Sequence, residues 1–168
     1  PHTDYFQGTD INVVTGGIVR QFAPFTPAIF DNAFLYALIH FDFDQLPLSD
    51  QQRSQTWQVD AHLMRIVARP DEQGQPTPEG IHRDGAGYVT VHLAELENVT
   101  GGMVTVYDDD KQPLESFQLR AVMDAYLFDD AALWHGVTPI APVDPGQRAL
   151  RSILTFDYHL RPDLPRPD

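Results

Sequence analysis

The sequence predicts a mainly β protein, a sandwich or jelly roll with one or two helices backing a sheet. Many short apolar runs follow one another from about residue 81 onward, and Gly, Pro and Asp residues separate them. Short strands with this spacing and punctuation are typical of sandwiches and jelly rolls. One segment nearer the start has helical periodicity instead. We therefore expect a β core with helical support.

The length of the chain, 168 residues, suits one domain with its own core. Its composition, 42% hydrophobic and 21% charged, is that of a globular protein. No internal repeat, low-complexity tract or linker divides it. We predict a single domain over residues 1–168, with a core at about 57–158 and with supporting strands and a helix in 1–50.

The first part of the chain is predicted to hold this support. Residues 1–26 are mixed in character, and Ile11–Val14 and Ile18–Phe22 are interpreted as short strands or irregular packing around a turn at Gly16-Gly17. A helix is predicted from Pro27 to Phe43, because apolar residues recur there near helical spacing and Pro suits a first turn. This helix is expected to pack against a sheet.

Three residues at the end of that helix suggest a metal site at first sight. His40, Asp42 and Asp44 lie close together in the sequence. They stand at a helix end that Leu46-Pro47 follows, so a solvated helix terminus is the preferred interpretation.

A long strand is predicted over residues 55–69. Apolar side chains alternate there with polar ones, as they do in a half-buried strand. The polar face carries His62, and Arg65 follows shortly after. Either residue could touch a ligand inside a barrel or face solvent, and the sequence leaves both alternatives open. The Pro/Gly/Gln-rich stretch Asp71–Gly80 is predicted as a loop that leads into the next motif.

The rest of the chain is predicted as strands and turns. The predicted strands are 87–94, 102–107, 114–120, 125–128, 133–140 and 150–158. The predicted turns lie at 98–102, 108–111, 129–130 and 142–146.

The motif that carries chemistry is a His and an Asp two residues apart, His82 and Asp84, just before an apolar run. In a strand, side chains at i and i+2 point to the same face, so an imidazole and a carboxylate can aim at one point. A second histidine, His135, lies in a later predicted strand. Two His and one carboxylate on one face form the facial triad of non-haem Fe(II) oxygenases. A His-x-Asp triplet alone is weak, since such triplets arise by chance.

A buried arginine is predicted in the last strand. Arg151 opens the apolar run Arg151–Phe156, sixteen residues after His135. A cation buried without a partner is expensive, and a guanidinium binds a carboxylate through two parallel hydrogen bonds, which Lys cannot match. The alternative is that Arg151 pairs with an acidic residue of the chain or sits at a sheet edge. In combination with the three residues above, an anionic ligand is favoured.

Composition excludes several classes of function. The net charge of −13 argues against a sequence-independent grip on nucleic acid or on an anionic membrane, which needs basic surface. The chain has no cysteine, which excludes disulfides, thiolate metal sites and Cys nucleophiles. No apolar run is long enough for a membrane span, and no signal peptide opens the sequence. A cytoplasmic location is therefore the expectation.

These motifs together resemble those of the Fe(II)/2-oxoglutarate-dependent dioxygenases, and more closely the bacterial family of L-isoleucine 4-hydroxylase and related free-amino-acid hydroxylases. The similarity runs from about Trp57 to Phe156, and Gly16–Arg20 is similar to the family's early part. The segments that carry the resemblance are Pro76–Gly85, Asn98–Gly102 and His135–Ile140. As a set they are specific for the family and much less so for a substrate.

The resemblance implies a double-stranded β-helix with Fe(II) in its mouth. By carry-over, His82, Asp84 and His135 bind the iron, and Arg151 binds the distal carboxylate of 2-oxoglutarate. Arg148, thirteen residues after His135, is the rival for that last role. With O₂ as oxidant and ascorbate as a supporting reductant, such enzymes convert 2-oxoglutarate to succinate and CO₂ while oxidising a C–H bond. Relatives that halogenate lack the carboxylate ligand, so Asp84 favours hydroxylation.

The substrate implied by the resemblance is a small molecule, most simply a free L-amino acid. Tyr88, Thr90 and His92 are expected to contact it, because they alternate on the face set by Asp84 if no bulge intervenes at Gly85–Gly87. For His92 the alternative is a satisfied core histidine.

Two further candidates and one departure concern the same pocket. Thr105 and Trp134 are weaker candidates for substrate contact, and core packing is the favoured alternative for Trp134. Asp157 stands where some wider relatives have a second Arg, which puts the substrate pocket in doubt.

Two other classes of function fit the same ligand set. A metal-binding jelly roll without catalysis accounts for the triad but leaves Arg151 without purpose. A cupin-like isomerase or a Zn²⁺ hydrolase is also compatible, because Zn²⁺ accepts two His and a carboxylate. A hydrolase needs a general base beside the metal, and the sequence singles none out. The oxygenase is preferred because it alone uses the arginine. The sequence does not predict an oligomeric state.

Overall fold

The computed structural model describes residues 3–5 and 20–164 of the chain. The predictions for Ile11–Val14 and for the turn at Gly16-Gly17 lie outside these residues. Three helices and eleven strands are described. The helices are α1 (Pro27–Phe30), α2 (Ala33–Gln45) and α3 (Asp50–Arg53). The strands are β1 (Thr3–Tyr5), β2 (Arg20–Phe22), β3 (Trp57–Ala68), β4 (Tyr88–Glu97), β5 (Val99–Gly101), β6 (Val104–Tyr107), β7 (Pro113–Phe117), β8 (Ala125–Asp129), β9 (Trp134–Val137), β10 (Ile140–Pro142) and β11 (Ala149–Leu160).

The strands form a major and a minor antiparallel sheet with two small pairs beside them. The major sheet has the order β3-β11-β4-β8, and the minor sheet has the order β7-β6-β9. The strands β10 and β5 pair with each other, as do β1 and β2. Every one of these pairings is antiparallel. The expectation of a mainly β protein with helices backing a sheet is confirmed.

The centre of the major sheet is the long pair of β3 and β11. These strands are in register over twelve residues, from Trp57 opposite Leu160 to Ala68 opposite Ala149. On its other edge β11 pairs with β4, and the register shifts between Ser152 and Ile153. The predicted strands at 55–69 and 150–158 correspond to β3 and β11.

The predicted helix over Pro27–Phe43 is divided in two. α1 ends at Phe30, and α2 begins at Ala33 because the side chain of Asn32 caps it, accepting a hydrogen bond of 2.9 Å from the backbone N–H of Phe34. The short α3 was not predicted. Its start is marked by a capping box of Ser49 and Gln52.

Two layers of apolar side chains cover the two faces of the major sheet. On the outer face, α2 packs its buried Leu35 and Leu38 against Phe156 and Tyr158 of β11. On the inner face, a second cluster fills the space toward the minor sheet; its buried members are Ala86, Val89, Val91, Leu93, Leu119 and Phe128. Consecutive residues of a strand point to opposite faces. The odd-numbered valines of β4, Val89 and Val91, therefore face the interior between the sheets, and Tyr88, Thr90 and His92 face α2.

Two predicted boundaries differ from the structure. The predicted turn at 98–102 contains strand β5, which pairs with β10, although Asn98 with a φ of 55° still reverses the chain. The predicted strand at 133–140 is divided into β9 and β10. Pro139 lies between the two strands, where its missing N–H does not interrupt a ladder.

Candidate active site

The backbones of two histidines hold each other in place at the edge of the cavity between the sheets. His82 and His135 form an isolated antiparallel bridge, in which each N–H donates to the other's carbonyl oxygen at 2.9 Å. Their imidazole centroids are 4.2 Å apart. The His-x-Asp motif thus precedes β4, which begins at Tyr88, and is not part of a strand. The bridge, and not strand alternation, brings the two rings together.

The carboxylate of Asp84 completes a cluster of three metal-ligating groups. Its Oδ1 lies 3.4 Å from Nε2 of His82, and its Oδ2 lies 3.6 Å from Nε2 of His135. One ligand atom from each residue lies within 4.8 Å of the others. Metal–ligand bonds of about 2 Å place neighbouring ligand atoms roughly 3 Å apart, so this spacing fits a facial triad closely.

The ring orientation of His82 suits metal binding. Its Nδ1 lies 3.0 Å from the carbonyl oxygen of Gly80, which places the ring proton on Nδ1. The lone pair of Nε2 then points toward Asp84. A second hydrogen bond of this kind is the usual support of a metal-binding imidazole.

The charges of the cluster are those expected of metal ligands. Burial lowers the pKa of His135 to about 4, so this ring is neutral at pH 7. Burial raises the pKa of Asp84, but the electrostatic coupling to the His135 ring and the hydrogen bond and charge of His82 outweigh burial and hold that pKa below its usual range. Burial disfavours protonation of His82, yet the carboxylates of Asp84 and Glu79 raise its pKa. A metal ion replaces the proton that this carboxylate-rich setting attracts.

Asp130 supports the loop that carries Asp84. Its fully buried carboxylate accepts three backbone N–H groups, those of Asp84 and Gly85 at 2.9 and 2.8 Å and that of Ala86 at 3.0 Å. Burial and the charge of Asp84 raise the pKa of Asp130 to about 6. Gly85 has a φ of 86°, which glycine adopts without strain. The sequence showed only a turn at Asp129-Asp130 and gave no sign of this role.

A second carboxylate stands close to the metal ligands. Oε1 of Glu79 lies 3.5 Å from Nε2 of His82, and the side chain is only 9% exposed. Glu79 belongs to the recognised motif, but the sequence assigned it no role.

The three ligands open into a cavity on the inner face of the major sheet. Its lining comes from four sheet strands, from β9 and from the loop before His82. The lining residues are His62 and Met64 of β3, Val89 and Val91 of β4, Tyr126 of β8, His135 and Val137 of β9, Arg151, Ile153, Thr155 and Asp157 of β11, and Pro76–Glu79, His82 and Asp84 of the loops. The cavity is polar at the metal ligands and mostly apolar beside them.

Arg151 lies inside this cavity. It is 2% exposed, and its Nη1 is buried with no hydrogen-bond partner among the described residues. Burial lowers its pKa, and the only opposing influence comes from Tyr126. The sequence alternative, a pairing with an acidic side chain, is not seen in the described part of the chain. The rival Arg148 is exposed and does not line the cavity.

Gly102 lies beside this arginine. A Cβ on Gly102 would lie 3.6 Å from both Cδ and Nε of Arg151, and the φ of Gly102 is 70°. Gly102, the last residue of the Asn98–Gly102 segment that carries the family resemblance, is thus a neighbour of the arginine side chain.

Three of the residues that were predicted to contact the substrate lie on the face of the major sheet that is turned away from the cavity. Tyr88, Thr90 and His92 belong to the α2 side of the major sheet, and none of them lines the cavity. Gly85–Gly87 forms bends before β4 and breaks the alternation counted from Asp84. These side chains do not line the cavity, because the expected alternation held only without an irregularity there, and their contact with a substrate stays a prediction.

Asp42 explains where two of these side chains go. Thr90 Oγ1 donates to Asp42 Oδ2 at 2.7 Å, and His92 Nε2 lies 2.6 Å from the same oxygen. Asp42 is 5% exposed, so the interpretation of His40, Asp42 and Asp44 as a solvated helix end was wrong for Asp42. His40 and Asp44 are exposed. His92 is a core histidine, as the alternative had it, but only its Nε2 is hydrogen-bonded, and its buried Nδ1 has no partner among the described residues.

The other two predicted substrate contacts also lie outside the cavity lining. Thr105 Oγ1 is hydrogen-bonded to Ser116 Oγ at 2.8 Å, across the β6–β7 pair. Trp134 is covered by the cations of Arg83 and Lys111, 4.6 and 4.2 Å from its ring. Substrate contact by these two residues stays a prediction, and the environment of Trp134 agrees with the packing alternative that was favoured for it.

The open question about β3 is resolved differently for its two residues. His62 lines the cavity, where its Nε2 lies 3.3 Å from Oδ2 of Asp157. Arg65 is 62% exposed and pairs with Glu95 at 3.0 Å. The sequence signal that finds His62 is the strand periodicity of 55–69, but periodicity alone does not tell the inner face from the outer.

The chain belongs to the 2OG-Fe dioxygenase family, because the sequence profile of that family matches residues 1–157. The family's name states its cofactors, iron and 2-oxoglutarate, and the cluster of His82, Asp84 and His135 fits the iron. Within the described residues, no helix has both the length and the apolar character that crossing a membrane requires.

Named relatives agree with the family and the fold. The chain is 26% identical over 159 residues to L-isoleucine-4-hydroxylase of Bacillus thuringiensis, a match that covers 92% of the chain and 65% of the relative. The crystal structure of IDO from Bacillus thuringiensis superimposes with a TM-score of 0.76 at 23% identity, covering 94% of the chain and 68% of the other. A bsmA homologue from Methylobium petroleophilum PM1 gives 0.77 at 30% identity, with 95% and 64% covered. The chain therefore spans about two thirds of the length of these proteins. Its jelly-roll fold is the same as that of the two solved structures.

Proposed function

We propose that this protein is an Fe(II)- and 2-oxoglutarate-dependent dioxygenase that hydroxylates a small molecule, most simply a free L-amino acid. The observation that carries this proposal is a pairing within one cavity. Three metal-ligating groups converge at one place on its wall, and Arg151 is buried in the same wall with an unpartnered Nη1. A metal-binding module without catalysis has no use for that arginine.

Each of the four residues has a defined task in this proposal. His82, Asp84 and His135 hold the iron, with Gly80 and Asp130 fixing the first two in orientation. Arg151 binds the distal carboxylate of 2-oxoglutarate through its guanidinium. The planar guanidinium donates two parallel hydrogen bonds, which match the two oxygens of a carboxylate. Bound iron supplies the activation of O₂ that couples decarboxylation of 2-oxoglutarate to C–H hydroxylation. The apolar residues Val89, Val91 and Ile153 exclude water beside the metal site.

The nature of the substrate is supported by a likeness and by the site. The relative from Bacillus thuringiensis is named for hydroxylation of L-isoleucine, a free amino acid. The cavity lies between the two sheets of one small sandwich, and a space of this kind suits a small molecule. The carboxylate ligand Asp84 leaves no ligand position to a halide, in keeping with hydroxylation.

Succinate formation tests this proposal. Anaerobically purified protein receives Fe(II), 2-oxoglutarate, ascorbate and air, and each free L-amino acid is added in turn. We expect one class of amino acid to raise succinate formation, and His135→Ala and Arg151→Met to abolish it. Arg148→Met is the matched control, because Arg148 is an exposed arginine just before β11, and we expect this variant to keep the activity. Wild-type protein that binds metal but neither binds nor consumes 2-oxoglutarate contradicts the proposal and leaves a metal-binding module.

A further inference from the structure

A carboxylate and an imidazole that the iron site does not use line the same cavity. Asp157 of β11 is 7% exposed at its side chain, and His62 of β3 is 17% exposed. Oδ2 of Asp157 lies 3.3 Å from Nε2 of His62. Both residues face the interior next to the metal ligands, and the charge of Asp84 acts on both of them.

The position of this pair separates it from the 2-oxoglutarate site. Arg151, Ile153, Thr155 and Asp157 are alternate residues of β11 on the cavity face. Six residues of strand, roughly 20 Å of backbone, separate Arg151 from Asp157. A dicarboxylate that binds Arg151 is repelled by a carboxylate at the other end of the row. Asp157 therefore serves a different molecule or a structural purpose.

A structural role accounts for only one of the two carboxylate oxygens of Asp157. Within the described residues, His62 is its ion-pair partner, and the contact is made through Oδ2. Burial raises the pKa of Asp157, because a carboxylate removed from water lacks hydrogen-bond donors. No hydrogen bond to Oδ1 is seen among the described residues, and Asp157 is one of the residues that line the cavity. A carboxylate in this setting favours a ligand that brings N–H donors and positive charge.

We infer that Asp157 binds the ammonium group of the substrate and thereby selects amine-bearing molecules such as free amino acids. His62 is a positioning residue that holds Oδ2 and turns Oδ1 toward the cavity. This inference rests on the proposed dioxygenase function and names the substrate feature that the same site recognises. The metal end and the ammonium end together fix which carbon of the substrate faces the iron.

The test is a comparison of two ligands that differ by the amino group alone. The probes are L-isoleucine and 3-methylpentanoate, or the amino acid with the highest turnover and its own des-amino acid. Their affinities are measured by calorimetry on protein loaded with 2-oxoglutarate and a redox-inert divalent metal. We expect wild-type protein to prefer the amino acid. Asp157→Asn is expected to weaken amino-acid binding about 10- to 100-fold and to leave des-amino binding unchanged.

Two further variants serve as controls. Asp60→Asn removes one negative charge directly across the strand pair, since Asp60 is the register partner of Asp157. Asp60 is 40% exposed, pairs with His159 at 3.4 Å and does not line the cavity, so we expect no change in preference. His62→Gln is expected to reduce the preference for the amino acid less than Asp157→Asn does, with 2-oxoglutarate affinity unchanged.

The possible results separate this inference from the proposed function. A wild-type protein that neither binds nor consumes 2-oxoglutarate refutes the dioxygenase, and with it the substrate. A wild-type protein that turns over 2-oxoglutarate only with amino-free substrates leaves the dioxygenase standing and overturns the ammonium site. The inference is equally overturned if Asp157→Asn keeps the wild-type preference, or if it weakens both ligands by the same factor, which is the mark of a structural role.

Discussion

The buried carboxylate of Asp130 accepts the backbone N–H of Asp84 at 2.9 Å, and the same carboxylate binds the next two backbone N–H groups of the loop. The conformation of the chain at the predicted iron ligand is thus set by a residue 46 positions later in the sequence. Supporting residues of this kind orient ligands before the metal arrives.

The first prediction concerns this support. Asp130→Asn replaces one acceptor oxygen by an NH₂ group, which cannot accept from a backbone N–H. We expect metal affinity to fall about 10- to 100-fold, because Asp84 is no longer held. The measurement is a calorimetric titration with Fe(II) under anaerobic conditions. The adjacent Asp129→Asn is the control, since Asp129 accepts from Ala132 and does not touch the loop. Equal Fe(II) affinities of the two variants would contradict the role of Asp130 in supporting the Asp84 loop.

The second prediction concerns metal removal. A ligand at 100 times its dissociation constant stabilises the folded state by about 2.7 kcal/mol, which is roughly 5–10 °C in melting temperature for a chain of this size. We expect Fe(II) to raise the melting temperature of chelator-treated protein by this amount under anaerobic conditions. The shift should vanish in His82→Ala and persist in His40→Ala, whose exposed imidazole lies on α2. A persistent shift in His82→Ala places the metal elsewhere.

The third prediction concerns the cosubstrate. Arg151→Lys keeps a positive charge but loses the planar pair of N–H donors, so we expect 2-oxoglutarate to bind about 10- to 100-fold more weakly. Metal affinity should not change, because Arg151 is not among the metal-ligating residues. Titration with 2-oxoglutarate in the presence of a redox-inert metal measures the loss. Arg148→Lys is the matched exposed control. If 2-oxoglutarate binding is lost in that variant and not in Arg151→Lys, Arg148 is the residue that binds the cosubstrate.

How much the sequence revealed depends on whether a feature follows from local spacing. The strand β3 and the strand β11 were predictable because their apolar residues alternate over a long run. The His-x-Asp motif, the later His and the arginine were predictable as a set because their order in the sequence is characteristic. Their convergence in space depends on the His82–His135 bridge, which joins residues far apart in the sequence.

The faces of β4 were not predictable, because the bends at Gly85–Gly87 shift the side-chain alternation by an amount that composition does not reveal. Asp42 was misread, and the role of Asp130 was missed, for a related reason. Each is a carboxylate at a helix end or turn, where an exposed position is the usual one. Only the tertiary contacts with His92 and with the Asp84 loop show that they are buried.

The fourth prediction concerns that buried acid on the helix. Asp42→Ala leaves the hydroxyl of Thr90 and Nε2 of His92 without their acceptor inside the layer between α2 and the sheet. We expect the free energy of unfolding to fall by about 2–4 kcal/mol, because unpaired buried polar groups are costly. Urea denaturation measures this loss. Asp44→Ala, two residues further along α2 and exposed, should change stability very little. Similar losses in both variants contradict a specific role for Asp42.

The fifth prediction concerns pH. The hydrogen bond of His159 lowers the pKa of Asp60 below 3.8, and the same bond raises the pKa of His159 above 6.5. The His159 contribution is complete below 6.5 and is lost as pH rises through the raised value; the Asp60 contribution is complete above 3.8 and is lost as pH falls through the lowered value. The difference in unfolding free energy between wild-type protein and Asp60→Asn should therefore be largest between 3.8 and 6.5. A difference that grows above 6.5 refutes the pair.

The reciprocal backbone hydrogen bonds between His82 and His135 have a kinetic consequence. The two imidazoles are neighbours before any ion arrives, so capture of iron does not wait for a slow folding event. We therefore expect that an ion bound by these rings can be taken up and released while the chain stays folded.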